Sequence, residues 1–486
     1  MWLRRSSPLR LVHVLVGTLV VTSACSVGPD YVRPTVDVPA AYKELGAWKV
    51  AEPRDDVARG AWWDVYDDPE LGQLEARVTA SNQDLAAAEA RFREARATVG
   101  VARADWWPTV TIGVSVTRSH QVAAPGAAAS SGRTTNNYAM PIEASWEADV
   151  WGRIRRNVES TEASAQASAA DLESTRLSLQ ATLAIDYFQL HTFDAERRLL
   201  DESVAAFERS LAITQSRFGH GVASRADVAQ AQAQLESTRA QAVDVGLQRA
   251  QVEHAIAVLV GTPAAELSLP PVPLAAAPPT VPVGLPSALL ERRPDVAVAE
   301  RGAAAANAQI GVADAAYYPT VTLSASGGFS NTDAASWLAW PSRFWSFGPS
   351  VTETVFDGGR RGALSERARA TYDEAVATYR QRVLGAFQNV EDELAALRLL
   401  DDESRVQAGA VAAAEESLRL TQRQYQAGTV SYLDVVTTQT TALTNERTAV
   451  DLLGRRMVAS VALIEALGGG WTADTLLSRG GSAGAG

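Results

Sequence analysis

The stretch that decides the fold is Phe218-Gly219-His220-Gly221-Val222-Ala223-Ser224-Arg225-Ala226-Asp227-Val228, because it returns as Tyr425-Gln426-Ala427-Gly428-Thr429-Val430-Ser431-Tyr432-Leu433-Asp434-Val435. The offset holds at each landmark, since 428 minus 221 and 434 minus 227 both give 207, and Gln232 likewise returns as Gln439. Upstream, Trp106-Trp107-Pro108-Thr109-Val110-Thr111 returns as Tyr317-Tyr318-Pro319-Thr320-Val321-Thr322 at an offset of 211, so an insertion lies between the two sets of landmarks. A repeat this large is a structural unit, not one catalytic centre.

Working outward, each turn is flanked by proline-free sequence. Residues 151–217 contain no proline, and at ~1.5 Å per residue such a helix runs roughly 100 Å. Residues 360–425 have the same character, with Leu384, Phe387, Val390, Leu394 and Leu397 spaced by three or four as in a coiled-coil seam. After each turn a return helix is expected, carrying Leu235, Val243, Leu247 and Val252 in the first copy and Val436, Leu443 and Val450 in the second. At the turns themselves, Gly221 and Gly428 suit left-handed backbone, and Ser224 and Ser431 suit N-caps. Asp227 and Asp434 then fall in a first helical turn, where a carboxylate complements the helix dipole.

A second periodicity precedes each long helix. Val110, Ile112, Val114 and Val116 alternate with Thr, Gly and Ser, and Tyr138, Met140, Ile142, Ala144 and Trp146 alternate with Pro141, Glu143, Ser145 and Glu147. A period of two predicts strands with one apolar and one polar face, at about 109–118 and 138–149. The second copy places strands at about 320–330 and 344–355. Strands of this length, edged by Trp106, Trp107, Tyr317, Tyr318 and Trp345, fit a transmembrane β-barrel with aromatic girdles, while the alternation alone also fits a soluble sheet with one solvated face. Four strands cannot close such a barrel, and open edges are not tolerated in lipid, so it would be shared between chains. A dimer gives eight strands and a trimer twelve; the spacing does not choose between them.

Composition narrows the function classes. The chain has 486 residues, a net charge of -12 and only two lysines, Lys43 and Lys49, which leaves no basic stripe for nucleic acid. Aromatics make up 7%, while alanine is abundant, as suits helices packed closely through small side chains. No P-loop or HExxH occurs and the five histidines are isolated, so no enzymatic activity, no catalytic residue and no metal site is expected. The one cysteine, Cys25, excludes an intrachain disulfide framework.

Its position gives Cys25 its meaning. Residues 1–24 read as a secretory signal, with Arg4, Arg5 and Arg10, an apolar run from Leu11, and Thr22-Ser23-Ala24 before the cysteine. That run is too short to span a bilayer. The arrangement resembles the lipobox of bacterial lipoproteins, although Thr22 stands where Leu is favoured. The resemblance implies acylation of Cys25 and, with Ser26 rather than Asp next, sorting to the outer membrane; two acyl chains suffice for stable anchoring. Beyond the covalent lipid no cofactor is expected. Residues 25–68 read as a lipid-anchored tether leading away from the anchor. The first repeat then covers 69–262, with its opening helix running from Pro69 to Asp105. Residues 263–288 form a Pro-rich connector, 289–471 the second repeat and 472–486 a C-terminal tail.

Taken together, these residues resemble the TolC-type outer-membrane efflux channels, in the OprM-like and NodT-like lipoprotein branch. The resemblance is carried by Cys25-Ser26-Val27-Gly28-Pro29-Asp30-Tyr31 with Arg33-Pro34, Trp62-Trp63 with Asp68-Pro69, Arg292-Arg293-Pro294-Asp295-Val296, Phe356-Asp357-Gly358-Gly359-Arg360, and Ala466-Leu467-Gly468-Gly469-Gly470-Trp471. It implies an α+β membrane protein that forms a homotrimer, with a twelve-stranded transmembrane β-barrel and a periplasmic α-barrel. Such a channel passes small molecules, drugs among them, from a resistance-nodulation-division pump and a periplasmic adaptor to the exterior. The same fold also serves type I secretion and metal-cation efflux, although three methionines in the whole chain argue against a copper specialist. The alternative of another class is a periplasmic coiled-coil structural lipoprotein. The resemblance further implies that adaptor hairpins dock at the tips holding Gly221, Ser224, Gly428 and Ser431, and that Tyr425 belongs to a periplasmic gate. The family's gate aspartate aligns with Thr437, so Asp434, one turn earlier, is expected to take part of that role.

Overall fold

The computed structural model describes residues 27–39, 41–45, 61–121, 133–274, 277–279 and 292–469. The predicted signal, Cys25, part of the tether, much of the Pro-rich connector and the C-terminal tail lie outside the described residues. The chain divides into two compact units: Met1–Thr35, Phe92–Ser168 and Ala299–Tyr379 form the first, and Val36–Arg91, Ala169–Val298 and Arg380–Gly486 the second.

The repeat governs the element order. Helices α1 (Pro69–Ser81) and α2 (Gln83–Ala104) precede strands β1 (Thr109–Ile112), β2 (Ser115–Gln121) and β3 (Arg133–Ala148). Helices α3 (Arg153–Gly219) and α4 (Arg225–Leu259) complete the first copy. The second consists of α5 (Pro294–Ala315), β4 (Thr320–Asn331), β5 (Arg343–Thr352), α6 (Arg360–Gln426) and α7 (Tyr432–Ala466). The long helices α3 and α6 have 67 residues each, the return helices α4 and α7 have 35 each, and both pairs start 207 apart (360 minus 153, 432 minus 225). The first strands start 211 apart (320 minus 109), so the four-residue insertion falls in the first copy between its first strand and its long helix.

One expected helix is two. The stretch from Pro69 breaks at Asn82, whose backbone is extended. Its carboxamide replaces the lost helical bonds: Oδ1 accepts the Leu85 N–H at 3.0 Å, and Nδ2 donates to the Leu259 carbonyl at 2.8 Å. Asn82 thus caps α2 while tying it to the end of α4. Asp68 caps α1 by accepting from the Glu70 and Leu71 N–H groups.

In the second unit the seam of α6 is Val383, Ala386, Val390, Leu394 and Leu397, all buried. Leu384, expected in that seam, is exposed, as are Val243 and Leu247 of α4. The apolar residues that α4 does bury include Ala231, Leu235, Ala242 and Val245, and Leu235, Ala242 and Val245 pack with Leu200, Phe207 and Leu443. Removing a side chain such as Leu394 there would cost about 2–5 kcal/mol. Among the described residues no helix is long and apolar enough to cross a membrane.

The first unit holds the sheet, in which every neighbouring pair is antiparallel and the order is β1/β2, β3, β4, β5. β1 and β2 occupy one strand position, because both pair with β3 in one unbroken register: Ile112 faces Ile142 and Ser115 faces Ala139. The expected first strand is therefore split at Gly113. The reason is Pro141 opposite, which has no N–H to give the ladder, while its carbonyl accepts from Gly113 N–H at 2.9 Å. Gly328, paired with Pro141 on the other side, is needed for close approach, since a Cβ there would overlap the Met140 carbonyl.

Candidate functional site: the two-faced sheet and the helix turns

The register sorts every strand residue onto one of two faces. On one lie Val110, Ile112 and Val116, then Tyr138, Met140, Ile142, Ala144 and Trp146, then Leu323, Ala325 and Phe329, then Trp345, Phe347 and Val351. The opposite face carries Thr109, Thr111, Ser115, Thr117, Glu143, Ser145, Thr322, Ser324, Ser326, Ser330, Ser346 and Ser350. The apolar face is not covered by the described residues: Val110, Ile112, Val116, Trp345, Phe347 and Val351 are all more than 60% exposed. An uncovered apolar surface of this extent marks contact with lipid or another chain. On the polar face Ser326 and Ser346 share a hydrogen bond of 2.8 Å, and Ser330 donates to Asn137 at 3.1 Å.

Aromatic residues stand at the foot of the sheet. Trp146 Nε1 donates to the Trp106 carbonyl at 2.9 Å, and Trp151 Nε1 donates to the Pro319 carbonyl at 2.8 Å. Trp151 stacks on Tyr318 with centroids 4.8 Å apart. At the other end Tyr138 contacts Trp337, and the Arg343 guanidinium lies 4.0 Å over the Trp340 ring. Indoles holding a hydrogen bond at one edge and an apolar surface at the other suit a membrane–water interface. The outer pair of edges, β1/β2 and β5, has no partner within the described residues.

The helix turns lie in the second unit. Gly221 and Gly428 have φ of +75° and +80°, the left-handed backbone that glycine adopts without strain. In the first turn Ser224 and Asp227 form a reciprocal capping box: Ser224 Oγ accepts from Asp227 N–H at 3.1 Å, and Asp227 accepts from Ser224 N–H at 2.8 Å. In the second, one Asp434 oxygen accepts both the Ser431 N–H at 2.9 Å and the Ser431 hydroxyl at 2.7 Å. The Ser431 hydroxyl holds the Asp434 carboxyl below the usual carboxylate range, with help from the Ser431 backbone. Thr437, exposed on α7, donates its hydroxyl to the Leu433 carbonyl at 2.9 Å.

The two turns are joined by a cluster in which the copies are not equivalent. Tyr425 is 9% exposed whereas its counterpart Phe218 is 41% exposed. Tyr425 meets Tyr432 edge-on at 5.4 Å, and Ala231 and Val435 complete the contact. The Arg217 guanidinium sits 4.6 Å over the Tyr425 ring and donates to the Tyr425 carbonyl at 3.1 Å. Tyr432 and Ser210 share a hydroxyl hydrogen bond of 3.2 Å. Arg217 and Tyr432 were not singled out from the sequence. Their signal was a break in the repeat: the 207 offset puts Gln424 opposite Arg217 and Arg225 opposite Tyr432.

A duplicated helical bundle joined to an antiparallel sheet with one lipid-type face and one polar face defines a membrane channel component of the outer-membrane kind. Residues 76–262 and 285–469 match the outer membrane efflux protein family, and the chain belongs to it. It is 31% identical over 460 residues to the toluene efflux pump outer membrane protein TtgC of Pseudomonas putida, a match covering 94% of this chain and 95% of that protein. To the cation efflux system protein CusC of Escherichia coli it is 28% identical over 473 residues, covering 96% and 99%. Among solved structures, the outer-membrane channel OprN superposes with a TM-score of 0.87 at 31% identity, covering 92% of this chain and 100% of that one.

Proposed function

We propose that this protein is the outer-membrane channel component of a tripartite efflux system and conducts small molecules passively to the cell exterior. The observation that carries the reading is the sheet, which among the described residues has four strand positions, two unpaired edges, an uncovered apolar face and a hydroxyl-rich opposite face. In lipid the edges must be paired. Three copies joined edge to edge supply twelve strand positions, which closes a barrel with the apolar face toward lipid and the hydroxyl face toward water. Helices α3, α4, α6 and α7 of the three chains then form the periplasmic α-barrel, and the apolar residues left exposed on α4 and α6 pack between chains.

Energy comes from an inner-membrane resistance-nodulation-division pump, and a periplasmic adaptor docks at the turns holding Gly221, Ser224, Gly428 and Ser431. Acylated Cys25 anchors the N-terminus in the outer membrane. Tyr425, Asp434 and Thr437 form the periplasmic gate, with Arg217 and Tyr432 holding Tyr425 in place. Asp434 and Thr437 are exposed on the first two turns of α7, where three copies would put a ring of carboxylates. The relatives' names mention toluene, antibiotics and cations, so drugs and other toxic compounds are the cargo class, chosen by the pump rather than by the conduit.

The test is conductance. The purified protein in planar bilayers shows discrete channel openings, and deleting its gene lowers tolerance to a panel of drugs and metals. A protein that inserts without conducting would overturn the reading. For the gate, Asp434→Ala raises conductance and antibiotic permeability; wild-type values for both would remove Asp434 from it.

A further inference from the structure

On both edge strands the apolar column ends on an arginine, at the end of the sheet away from where α3 and α6 begin. Reading toward that end, β1/β2 presents Val110, Ile112 and Val116 and then Arg118. β5 presents Val351, Pro349, Phe347 and Trp345 and then Arg343, which lies on the apolar face because it pairs directly with Phe329. Among the described residues neither guanidinium forms an ion pair. A cation on a face turned toward lipid is stabilised by an anion at the headgroups.

Arg343 is held in one place. Its guanidinium lies 4.0 Å over the Trp340 ring, and its backbone N–H donates to the Trp340 carbonyl. Stacking occupies the face of the guanidinium plane and leaves the N–H donors at its edge, where two of them can grip one phosphate. The loop that carries Trp340 is locked by Asn331, whose Nδ2 donates to the Ser336 hydroxyl at 3.2 Å and the Ser342 hydroxyl at 2.7 Å. Asp333, the one carboxylate from Thr332 to Ser342, accepts from the Ala335 N–H at 3.1 Å and the Ser336 hydroxyl at 2.8 Å, and so is engaged within the loop. Trp340 is 70% exposed and Trp345 81%, so the rings flanking Arg343 are open to a ligand.

We propose that Arg343, stacked on Trp340, docks the phosphate of an anionic lipid headgroup in the outer leaflet, with Trp345 and Phe347 against the acyl chains below. This rests on the reading of the sheet as part of an outer-membrane barrel. Val351 is eight residues from Arg343 (351 minus 343), about 26 Å along the strand and about 20 Å along the membrane normal at a tilt of ~40°. The apolar band of such barrels is about 25 Å tall, and the long arginine side chain reaches across the remainder to the headgroups. An arginine that only snorkelled to water would need neither a ring beneath it nor a locked loop to hold that ring.

The experiment reconstitutes the full-length protein in phosphatidylcholine vesicles with a trace of spin-labelled phosphatidic acid or spin-labelled phosphatidylcholine, and reads the motionally restricted fraction of each label. The wild type prefers phosphatidic acid, and Arg343→Gln lowers that preference about fivefold. Arg343→Lys keeps the charge without the planar fork, and Trp340→Ala keeps the fork without its support; both fall between the glutamine variant and wild type. An undiminished preference in Arg343→Gln overturns the proposal. So does a full preference in both Arg343→Lys and Trp340→Ala, which would leave only unspecific charge. Restriction of phosphatidylcholine by every variant shows the barrel inserted, so that a missing preference counts against the site alone. If none of the proteins restricts either lipid, the barrel reading falls and the site with it.

Discussion

Replacing Glu75 by Gln tests the packing of the second unit by its pH dependence. Glu75 lies on α1 with 0% exposure, and neither carboxyl oxygen has a hydrogen-bond partner among the described residues. Burial pushes its pKa up to about 9 from the ordinary 4.5. A carboxyl whose folded pKa is raised contributes its full stability below the unfolded pKa and loses it as pH rises toward the folded value. From about pH 4 to pH 7 the loss covers 2.5 units above 4.5, about 3 kcal/mol at 1.36 kcal/mol per unit. Gln has the shape of the protonated acid but does not titrate, so the Glu75→Gln protein keeps that stability. Thermal unfolding of the detergent-solubilised protein, followed by circular dichroism at about pH 4 and pH 7, gives the difference between variant and wild type at each pH, which cancels all other titrating groups. The variant equals wild type at the lower pH and exceeds it by several degrees at the higher. The same difference at both values would show that Glu75 ionises freely in the folded protein, and the packing argument would fail.

Arg217→Ala removes a cation–π contact and a charged hydrogen bond to Tyr425, together about 2 kcal/mol, and so shifts the tip about 30-fold toward open states. Single-channel recording shows this as a higher open probability, with Gln424→Ala, at the matching place in the other copy, unchanged; equal behaviour of the two would refute the asymmetry. Tyr425→Phe leaves channel closure intact, because the Tyr425 hydroxyl is buried without a partner among the described residues, whereas Tyr425→Ala opens the channel; a phenylalanine variant that leaks would show that the hydroxyl bonds across chains. Gly328→Val forces β3 and β4 apart at Met140 and costs about 1–3 kcal/mol or more of overpacking, so less protein fractionates with the outer membrane; wild-type assembly would show that the approach is not close.

Much of this was legible in the sequence, and the exceptions have physical causes. The proline-free runs and the turn chemistry of Gly221, Ser224, Gly428 and Ser431 announced four long helices, because helix interiors exclude proline and their ends select caps. Strand alternation announced the two faces. The break at Asn82 was hidden because a single Asn in an Ala- and Glu-rich run lowers helix propensity only slightly, and its partner Leu259 is 177 residues away. Leu384, Val243 and Leu247 have seam spacing but are exposed among the described residues, since spacing marks an apolar stripe without saying whether the chain itself covers it. At the tip, Arg217 and Tyr432 were missed because the eye follows what repeats, and these two lie where the copies differ.

If one chain carries a third of a barrel, the mass of the purified complex, in the same detergent that supports planar-bilayer recording, corresponds to three chains. Three chains per particle and one conducting pore per particle are expected. A monodisperse single chain, or a trimer that never conducts, would contradict the shared barrel.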